Sequence, residues 1–440
     1  MSSLSRTIRT SILLMPFLLT MSAVAQDPGP DSLSVTDRAY LAGKVYASAL
    51  QYFAHWADLP DLDSDAAYRQ YLDRVLSSDD RLAFGRATME YLAGFHNSHT
   101  ILLDRQLIGH GGPLPFAARY LANHWVISES WTPGLKTGDV LETIDGQPFE
   151  QFFSDRLRLI SASTLPFARR SFFARLPASP LYPHPFAMYA HLFPERFVLG
   201  LAGGRQVAVD RHSITATQGL PPTEGRWLEP GKVAYIRIPS FWVPDYEKKA
   251  IELVDEFRTA AALIVDVRGN LGGSTPSELT SLLMNRPYRW WTESTPVAMP
   301  YFRLRAAEGK WEYQPFNRPD FVWRSGAQQP PPNAFAGRLV LLVDAGCHSA
   351  CEDFVMPFKD NGRAVLVGET TAGSTGQPYV LDLGHDMIVL IGAKREMFPD
   401  GSRFEGIGIK PDLPISPAPD DIRQDRDVVL QAARKSLAGS

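Results

Sequence analysis

The chain has 440 residues, of which 45% are hydrophobic and 21% are charged, and its formal net charge is −4. This balance excludes a strongly basic protein of the kind that binds nucleic acid, and the length is typical of two or three domains. Two cysteines are too few for a fold held together by disulfides. The absence of CxxC, HExxH and P-loop patterns argues against metal or nucleotide chemistry, so no cofactor is expected.

Residues 1–25 have the features of a secretory signal peptide. A basic start with Arg6 and Arg9 precedes the apolar run "SILLMPFLLTMSAVA", and small residues precede Gln26. The run is too short for a membrane span, and no other stretch approaches eighteen apolar residues. A retained N-terminal anchor is the alternative. The sequence therefore predicts a periplasmic or secreted protein without a stable membrane span.

Residues 26–108 are predicted to form a helical N-terminal region. The segments "TDRAYLAGKVYASALQYFAHW" and "RLAFGRATMEYLAGF" carry apolar residues at three- and four-residue spacing. Residues 109–200 change character, since "PLPFAARYLANHWVISES" favours short strands. The following "PGLKTGDVLETIDGQPF" places glycines and an Asp-Gly turn within an apolar alternation. A Pro- and Phe-rich connector then leads to the hairpin-like "FVLGLAGGRQVAVDR".

Residues 201–440 are predicted to form an α/β core. The apolar runs "KVAYIRI", "AALIVDVRG", "RLVLLVD" and "AVLVGE" alternate with helical segments such as "YEKKAIELVDEFR" and "ACEDFVMPFKD". Short runs rich in Val, Ile and Leu are typical of buried, mainly parallel strands with crossover helices. Ligands of such sheets bind beyond the carboxyl ends of the strands.

Two loops at these strand ends carry candidate functional groups. "GNLGG", residues 269–273, can leave backbone N–H groups free to hold an oxyanion, although a plain tight turn is the simpler interpretation. "DAGCHSAC", residues 344–351, places Ser349 where a strand gives way to a helix. Serine at that position is usually a helix cap, so the residue alone does not indicate catalysis.

As an ordered set, "VAYIRI", "LIVDVRGNLGG", "LVLLVD…SACEDF…GRAVLVGETTAG" and "FEGIGIKPDLPI" resemble the core of the C-terminal processing (tail-specific) serine peptidases, including the tricorn core proteases. "PGLKTGDVLETIDGQPF" resembles the second half of that family's PDZ domain. The resemblance implies an α/β fold with a crotonase/ClpP-like catalytic core, a PDZ-like domain and a helical N-terminal region. It implies that Ser349, in Ser-Ala-Cys-Glu, is the nucleophile.

The resemblance also implies the remaining catalytic groups. Family members with a Ser–Lys dyad carry lysine in a loop similar to "GETTAGSTG", where this chain has Ser374. A serine cannot serve as general base, so the tricorn-like branch is favoured, in which a histidine preceded by serine is the base. "GFHNSHTILL" supplies Ser98 and His99, and "RFEGIGIKPD" supplies Glu405 as the group that orients the histidine. Ser98 is expected to act through Glu405 rather than on the ring of its neighbour.

The oxyanion donors are expected to be the backbone N–H groups of Ala350 and of Gly272 or Gly273. Rival interpretations remain open at the sequence level. His99 could be an interior histidine, Glu405 could be an ordinary loop acid, and His96, His110 and His348 are rival bases. Lys359 and Lys394 are candidate dyad lysines by residue type only.

Cys347 and Cys351 flank Ser349, and either a disulfide or two buried thiols fits this spacing. Residues four apart on one helix lie too far apart for a bridge, so a disulfide requires the helix to begin between them.

The predicted function is that of an exported serine endopeptidase with a polypeptide substrate and no nucleic-acid partner. Two alternatives are a catalytically silent binding protein on the same fold, as with interphotoreceptor retinoid-binding protein, and an esterase or amidase acting on a small substrate. Substrate preference and oligomeric state do not follow from the sequence.

Overall fold

The computed structural model describes residues 33–78, 80–178, 184–215, 219–296 and 320–438. The predicted signal peptide, residues 1–25, lies outside these ranges. Within them, no helix combines the length and the apolar character that crossing a bilayer requires.

The described helices are α1 (Val35–Tyr52), α2 (Ser64–Leu76), α3 (Arg81–Ala93), α4 (Arg105–Gly111), α5 (Phe149–Arg156), α6 (Leu165–Ser171), α7 (Pro244–Glu256), α8 (Ser277–Leu283), α9 (Ala350–Asp360), α10 (Pro419–Arg423) and α11 (Val428–Ala438). The described strands are β1 (Ile101–Asp104), β2 (Phe116–Leu121), β3 (His124–Ser130), β4 (Val140–Ile144), β5 (Gln147–Pro148), β6 (Arg175–Leu176), β7 (Phe186–Ala187), β8 (Arg196–Leu201), β9 (Gln206–Asp210), β10 (Glu224–Glu229), β11 (Val233–Arg237), β12 (Ala262–Asp266), β13 (Thr292–Pro296), β14 (Asp320–Arg324), β15 (Arg338–Val343), β16 (Ala364–Gly368), β17 (Pro378–Gly384), β18 (Met387–Gly392), β19 (Arg395–Met397) and β20 (Leu413–Pro414).

The N-terminal helices begin where the sequence supplies caps. Ser34 and Asp37 form a capping box ahead of α1, and Asp63 accepts two N–H groups at the start of α2. The apolar stripe of α1, which includes Leu41 and Val45, is buried, and α1 packs against β17 and β18. The helical region is thus attached to a part of the chain more than 300 residues later.

An antiparallel sheet of order β2-β3-β4-β8-β9, with β5 on β4, follows the helical region. Phenylalanines of α5, of the connector and of β8 pack beneath it in one aromatic core. The hairpin of β8 and β9 pairs with β4, so residues 201–210 belong to this sheet. The predicted boundary at residue 201 therefore cuts through a hairpin, and the core sheet begins instead at β10. The sequence indicates this hairpin, but it does not indicate that the hairpin pairs with β4.

The core sheet has the order β10-β11-β12-β15-β16-β20 and is parallel except at β10. Its central strands are covered on both faces. In β12, Leu263 and Val265 pack with α7, α8 and α9, whereas Ile264 packs toward α11. This two-sided burial explains why these strands are continuous apolar runs in the sequence.

Two smaller sheets connect the ends of the chain. β1 pairs antiparallel with β18, which pairs with β17, so Ile101 lies opposite Leu390. β13 pairs with both β14 and β19. The pairing of β1 with β18 fixes the loop before β1, which carries residues 94–100, over the carboxyl ends of the core strands.

Candidate active site

Ser349 lies between β15 and α9 in a backbone conformation that few residues adopt. Its φ is 57° and its ψ is −128°, and its side chain makes no capping hydrogen bond with α9. A non-glycine residue in this region costs about 1–3 kcal/mol, and such residues cluster at functional sites. The N–H of Ser349 donates to the carbonyl of Ser374 at 2.9 Å. The simple helix-cap interpretation of Ser349 therefore does not describe this residue.

His99 lies against Ser349. Its Nε2 is 3.0 Å from Ser349 Oγ, and its Nδ1 is 2.9 Å from Ser374 Oγ. The N–H of His99 donates to Asn97 Oδ1 at 3.0 Å, which fixes the backbone of the loop between α3 and β1. The imidazole thus bridges two hydroxyl groups that lie 250 and 275 residues later in the chain.

The surroundings of His99 favour a neutral ring. Burial lowers its pKa well below 6.5, and the nearby ring of His348 acts in the same direction. If Nδ1–H donates to Ser374 Oγ, the lone pair of Nε2 is free to accept the proton of Ser349. This is the tautomer that a general base for Ser349 requires.

Ser374 is held by the glutamate of the Ser-Ala-Cys-Glu segment. Glu352 accepts the N–H groups of Gly373 at 2.9 Å and of Ser374 at 2.7 Å, and also the hydroxyl of Thr371. Burial raises the pKa of Glu352 to about 8, and the three donors partly oppose this rise. Glu352 therefore fixes the loop that presents Ser374 to His99.

The structure does not bring Ser98 or Glu405 to His99. Ser98 Oγ is instead 2.8 Å from Nε2 of His348. Glu405 accepts the N–H groups of Thr375 at 3.3 Å and of Glu396 at 3.2 Å, and lies 3.6 Å from His55. The expected relay from Ser98 through Glu405 to the base is therefore wrong for this structure.

Ser374 is the residue that sequence reasoning missed. It was noticed at the position of the dyad lysine, but only as evidence that a base was absent. A hydroxyl cannot replace a lysine as base, yet it can accept the Nδ1–H of a histidine. That capacity, together with the histidine expected elsewhere in the chain, was the feature of the sequence that could have indicated a contact between Ser374 and His99.

His348, one of the rival bases, lies beside His99 rather than in its place. Its ring stacks on His99 with centroids 4.7 Å apart, and on Phe167 of α6 with centroids 4.5 Å apart. Its Nδ1 is 3.3 Å from the carbonyl of Leu271, and burial lowers its pKa to about 4. His348 is thus a neutral ring clamped between α6 and His99.

Lys394 is not placed to act as a dyad base. Its ammonium pairs with Glu396 at 2.7 Å and with Glu293 at 2.9 Å. Although burial alone would lower the pKa of Lys394, the attraction of these carboxylates raises it. A base must be able to lose its proton near neutral pH, so this lysine serves as a buried counter-ion. Across the described ranges, no group of three or more His, Cys, Asp or Glu side chains could hold a metal ion.

The glycine-rich loop after β12 lies against Ser349. A Cβ built on Gly272 would lie 2.7 Å from Ser349 Cβ and 2.9 Å from the nitrogen of Ala350. The N–H of Gly272 donates to Asn270 Oδ1 at 2.9 Å. Within the described part of the chain, the N–H groups of Gly273 and Ala350 have no hydrogen-bond partner. Of the two glycines expected as donors, Gly273 is the one whose N–H remains available.

Cys347 and Cys351 form a disulfide in the structure, with Cα atoms 5.3 Å apart. α9 begins at Ala350, so Cys347 precedes the helix and is free of the helical spacing that would prevent a bridge. Both cysteines are fully buried. The bridge encloses Ser349 and joins the strand side of its turn to the first turn of α9.

Parts of the chain are similar to known peptidases. Residues 232–415 match the model described as Peptidase family S41. The C-terminal processing peptidase of the chloroplast of Tetradesmus obliquus is 34% identical over 79 residues, which is 18% of this chain and 17% of that protein. The match thus spans about a sixth of the length of the curated relative.

Solved structures show the same fold over nearly the whole chain. The structure of mature CPAF complexed with lactacystin has a TM-score of 0.67 at 15% identity, covering 92% of this chain and 98% of that one. A putative peptidase from Parabacteroides merdae has a TM-score of 0.52 at 15% identity, covering 92% and 97%. The resemblance found in the sequence is therefore confirmed for the segment 232–415, which matches peptidase family S41, and the curated relative that it resembles is a C-terminal processing peptidase.

Proposed function

We propose that the chain is an exported serine endopeptidase that hydrolyses peptide bonds of polypeptides, with Ser349 as nucleophile and His99 as general base. The observation that carries the proposal is the 3.0 Å contact between Ser349 Oγ and His99 Nε2, with Nδ1 of the same ring on Ser374. A serine hydroxyl becomes an effective nucleophile only when an adjacent base accepts its proton. Family S41 membership of residues 232–415 supports the same reaction class.

In the proposed reaction, Ser349 Oγ attacks the scissile carbonyl while its proton moves to His99 Nε2. The imidazolium that forms is stabilised at Nδ1 by the oxygen of Ser374, and it then gives its proton to the leaving amine. Water attacks the acyl-enzyme in the second half, with His99 again as base. In this scheme Ser374 takes the orienting role that the sequence resemblance implied for Glu405. Ser98 and Glu405 contact neighbours of the proposed catalytic groups instead. Ser98 contacts His348, next to Ser349, and Glu405 contacts Thr375, next to Ser374.

We assign the oxyanion donors to the backbone N–H groups of Ala350 and Gly273. The N–H of Ala350 opens α9, where the helix dipole adds to the stabilisation of negative charge. The contact of the glycine loop with the nucleophile supports this assignment, and the bonded N–H of Gly272 favours its neighbour. Two preorganised donors are what a tetrahedral oxyanion requires.

The substrate is proposed to be a polypeptide, and the location is proposed to be periplasmic or extracellular. The sheet of β2, β3, β4, β5, β8 and β9 includes the segment whose sequence resembles a PDZ domain, and such domains bind peptides by adding a strand. Export is supported by the signal-like residues 1–25 and by the disulfide beside Ser349, since disulfides persist in oxidising compartments.

The test is labelling with a serine-directed fluorophosphonate, followed by mass-spectrometric mapping of the modified residue. Label is expected on Ser349, and it should disappear in Ser349→Ala and become slow in His99→Ala. Cleavage of reduced and alkylated casein should follow the same order. Ser213→Ala, at an exposed turn after β9, is the matched control and should label as the wild type. Absence of both label and cleavage in the wild type would favour a silent binding protein. Hydrolysis of small esters without cleavage of casein would favour an esterase.

A further inference from the structure

A cleft of about 440 Å³ opens between the sheet of β2 and β3, helix α6 and the carboxyl ends of the core strands. It is rich in charged side chains, and its floor includes Gly269 and Leu271 of the same loop that carries Gly273. The cleft thus lies beside the loop that carries the proposed oxyanion donor Gly273. Nothing in the catalytic mechanism uses it.

Six arginines line this cleft, and five of them have a carboxylate partner within 4 Å. These pairs are Arg119 with Glu369, Arg175 with Glu129, Arg237 with Asp266, Arg268 with Asp266 and Asp427, and Arg426 with Asp421. Arg170 is the exception. Among the described residues, its guanidinium has no ion pair within 4 Å, and its buried Nε has no hydrogen-bond partner.

Arg170 lies where both functional loops begin. A Cβ built on Gly269 would be 2.7 Å from Arg170 Nη2, and one built on Gly346 would be 3.0 Å from Arg170 Nε. Asp344 ties the two loops together by accepting the N–H groups of Gly269 at 2.7 Å and Gly346 at 2.9 Å. Its charge attracts Arg170 from beyond ion-pair distance.

Arg170 is half-buried, and its buried Nε has lost water without gaining a hydrogen bond in exchange, which is unfavourable. Asp344 cannot compensate fully, since its carboxylate is already engaged by two N–H groups and by Arg119 at 3.7 Å. Arginine stays protonated, so an anion that enters the cleft would find in Arg170 a positive charge without an ion-pair partner among the described residues. A carboxylate matches the planar fork of the guanidinium and can bind it through two parallel hydrogen bonds.

We propose that Arg170 is a specificity residue that binds a carboxylate group of the peptide substrate in this cleft. The proposal rests on the proposed peptidase function and adds a substrate preference to it. Gly269 precedes Gly272 by three residues, as Gly346 precedes Ser349, and three residues span at most about 11 Å. The carboxylate should therefore lie within a few residues of the scissile bond. It is either an Asp or Glu side chain or the terminal carboxylate of the substrate.

The test compares matched peptides in one reaction mixture. A cleavage site is first mapped in reduced and alkylated casein. Synthetic peptides spanning that site then carry Glu or its neutral isostere Gln at successive positions, and each ends in a free carboxyl or a carboxamide. The ratio of kcat/KM values within each pair is measured by mass spectrometry. The Glu and Gln peptides form one arm of the test, which reports recognition of a side-chain carboxylate. The carboxyl and carboxamide peptides form the other arm, which reports recognition of a terminal carboxylate.

The wild type should prefer the charged member of one arm by about tenfold or more, as expected for a hydrogen bond to a charged group. In Arg170→Gln this ratio should fall to about one, whereas Arg170→Lys should keep part of it, because a positive charge remains. Arg426→Gln removes the same charge from a paired arginine of the cleft and should keep the full ratio.

A wild-type ratio near one in both arms would overturn the proposal, and this result does not depend on any variant being folded. Retention of the full ratio by Arg170→Gln would also overturn it. Both outcomes leave the peptidase function standing, since the neutral peptides are still cleaved. Failure of the proposed function is distinguished from them by the absence of cleavage of every peptide and of fluorophosphonate label on Ser349.

Discussion

Replacing Ser374 by alanine tests which group orients the catalytic histidine. The substitution removes one oxygen, which lies 2.9 Å from Nδ1 of His99, and leaves intact the N–H of residue 374 that Glu352 holds. The side chain is fully buried, so water does not readily take the place of the hydroxyl. Ser374→Ala should therefore remove a bond that stabilises the imidazolium of His99 and that fixes the tautomer of its neutral ring, without displacing the loop.

The expected loss follows from the kind of bond that is removed. A hydrogen bond to a charged partner contributes about 1.5–3 kcal/mol, which corresponds to about 10- to 150-fold in kcat/KM if it is made in the transition state. Glu405→Gln is the informative comparison, because Glu405 contacts Thr375 and Glu396 but not the imidazole. That variant should stay within about threefold of the wild type, since less than 1 kcal/mol is at stake.

The assay is kcat/KM on a peptide spanning a mapped cleavage site, together with the rate of fluorophosphonate labelling of Ser349. Both should fall in parallel for Ser374→Ala, while the thermal midpoint stays close to that of the wild type. The reasoning is refuted if Ser374→Ala keeps full activity and Glu405→Gln loses more than about tenfold. That pattern would restore the glutamate as the orienting group.

Three other predictions concern the nucleophile, the base and the loop. Ser349→Ala should reduce turnover by about 10⁴ to 10⁶ while leaving the fold unchanged by circular dichroism, and activity within tenfold of the wild type would exclude Ser349 as nucleophile. kcat/KM should rise with pH and reach half of its maximum below pH 6.5, because burial lowers the pKa of His99 and activity appears as the ring loses its proton. A midpoint above pH 6.5 would contradict this. Gly272→Ala should cost about 10² in turnover, because the added Cβ displaces Ser349. Gly203→Ala, with similar positive φ but open space, should not have this effect, and equal effects would refute crowding.

The raised pKa of Glu405 also predicts how the free energy of unfolding depends on pH. Burial raises its pKa in the folded chain to about 7 from 4.5, so the unfolded chain loses this proton first as the pH rises. Its contribution to the free energy of unfolding is complete below pH 4.5 and declines by up to about 3 kcal/mol as the pH approaches 7. Urea denaturation at several pH values should show that Glu405→Gln reduces this decline. An unchanged slope would show that other groups cause it.

The sequence was most informative where one physical cause dominates a segment. Continuous runs such as residues 262–266 have a single explanation in two-sided burial, and the amphipathic stripe of α1 has one in packing against a sheet. Ser349 and His99 could be proposed because the order of several motifs, rather than any one of them, limits the alternatives. Pairing between distant strands left no such mark. The boundary at residue 201 divides a hairpin that the sequence does indicate, because nothing in the sequence assigned that hairpin to the sheet of β4.

The orienting group was harder to predict for the same reason. Hydrogen bonds such as that between His99 and Ser374 depend on how loops from three parts of the chain meet, and the residue types are compatible with several arrangements. Glu405 was a reasonable candidate by chemistry. It does lie close to Ser374, because it accepts the N–H of Thr375, the next residue in the chain. What the sequence could not provide was the direction in which each side chain points.

The pairing of β1 with β18 makes activity a property of the completed chain. His99 immediately precedes a strand whose partner, Met387–Gly392, is made almost 300 residues later. In the proposed mechanism, the N-terminal part supplies the base without its nucleophile, and the segment 232–415 supplies the nucleophile without its base. We therefore expect neither portion to cut peptides alone, so that a chain whose synthesis is incomplete would be inactive. We accordingly expect that a chain divided between residues 99 and 349 is active only if the two halves reassemble. Such a pair would be a split reporter whose signal depends on the association of the halves.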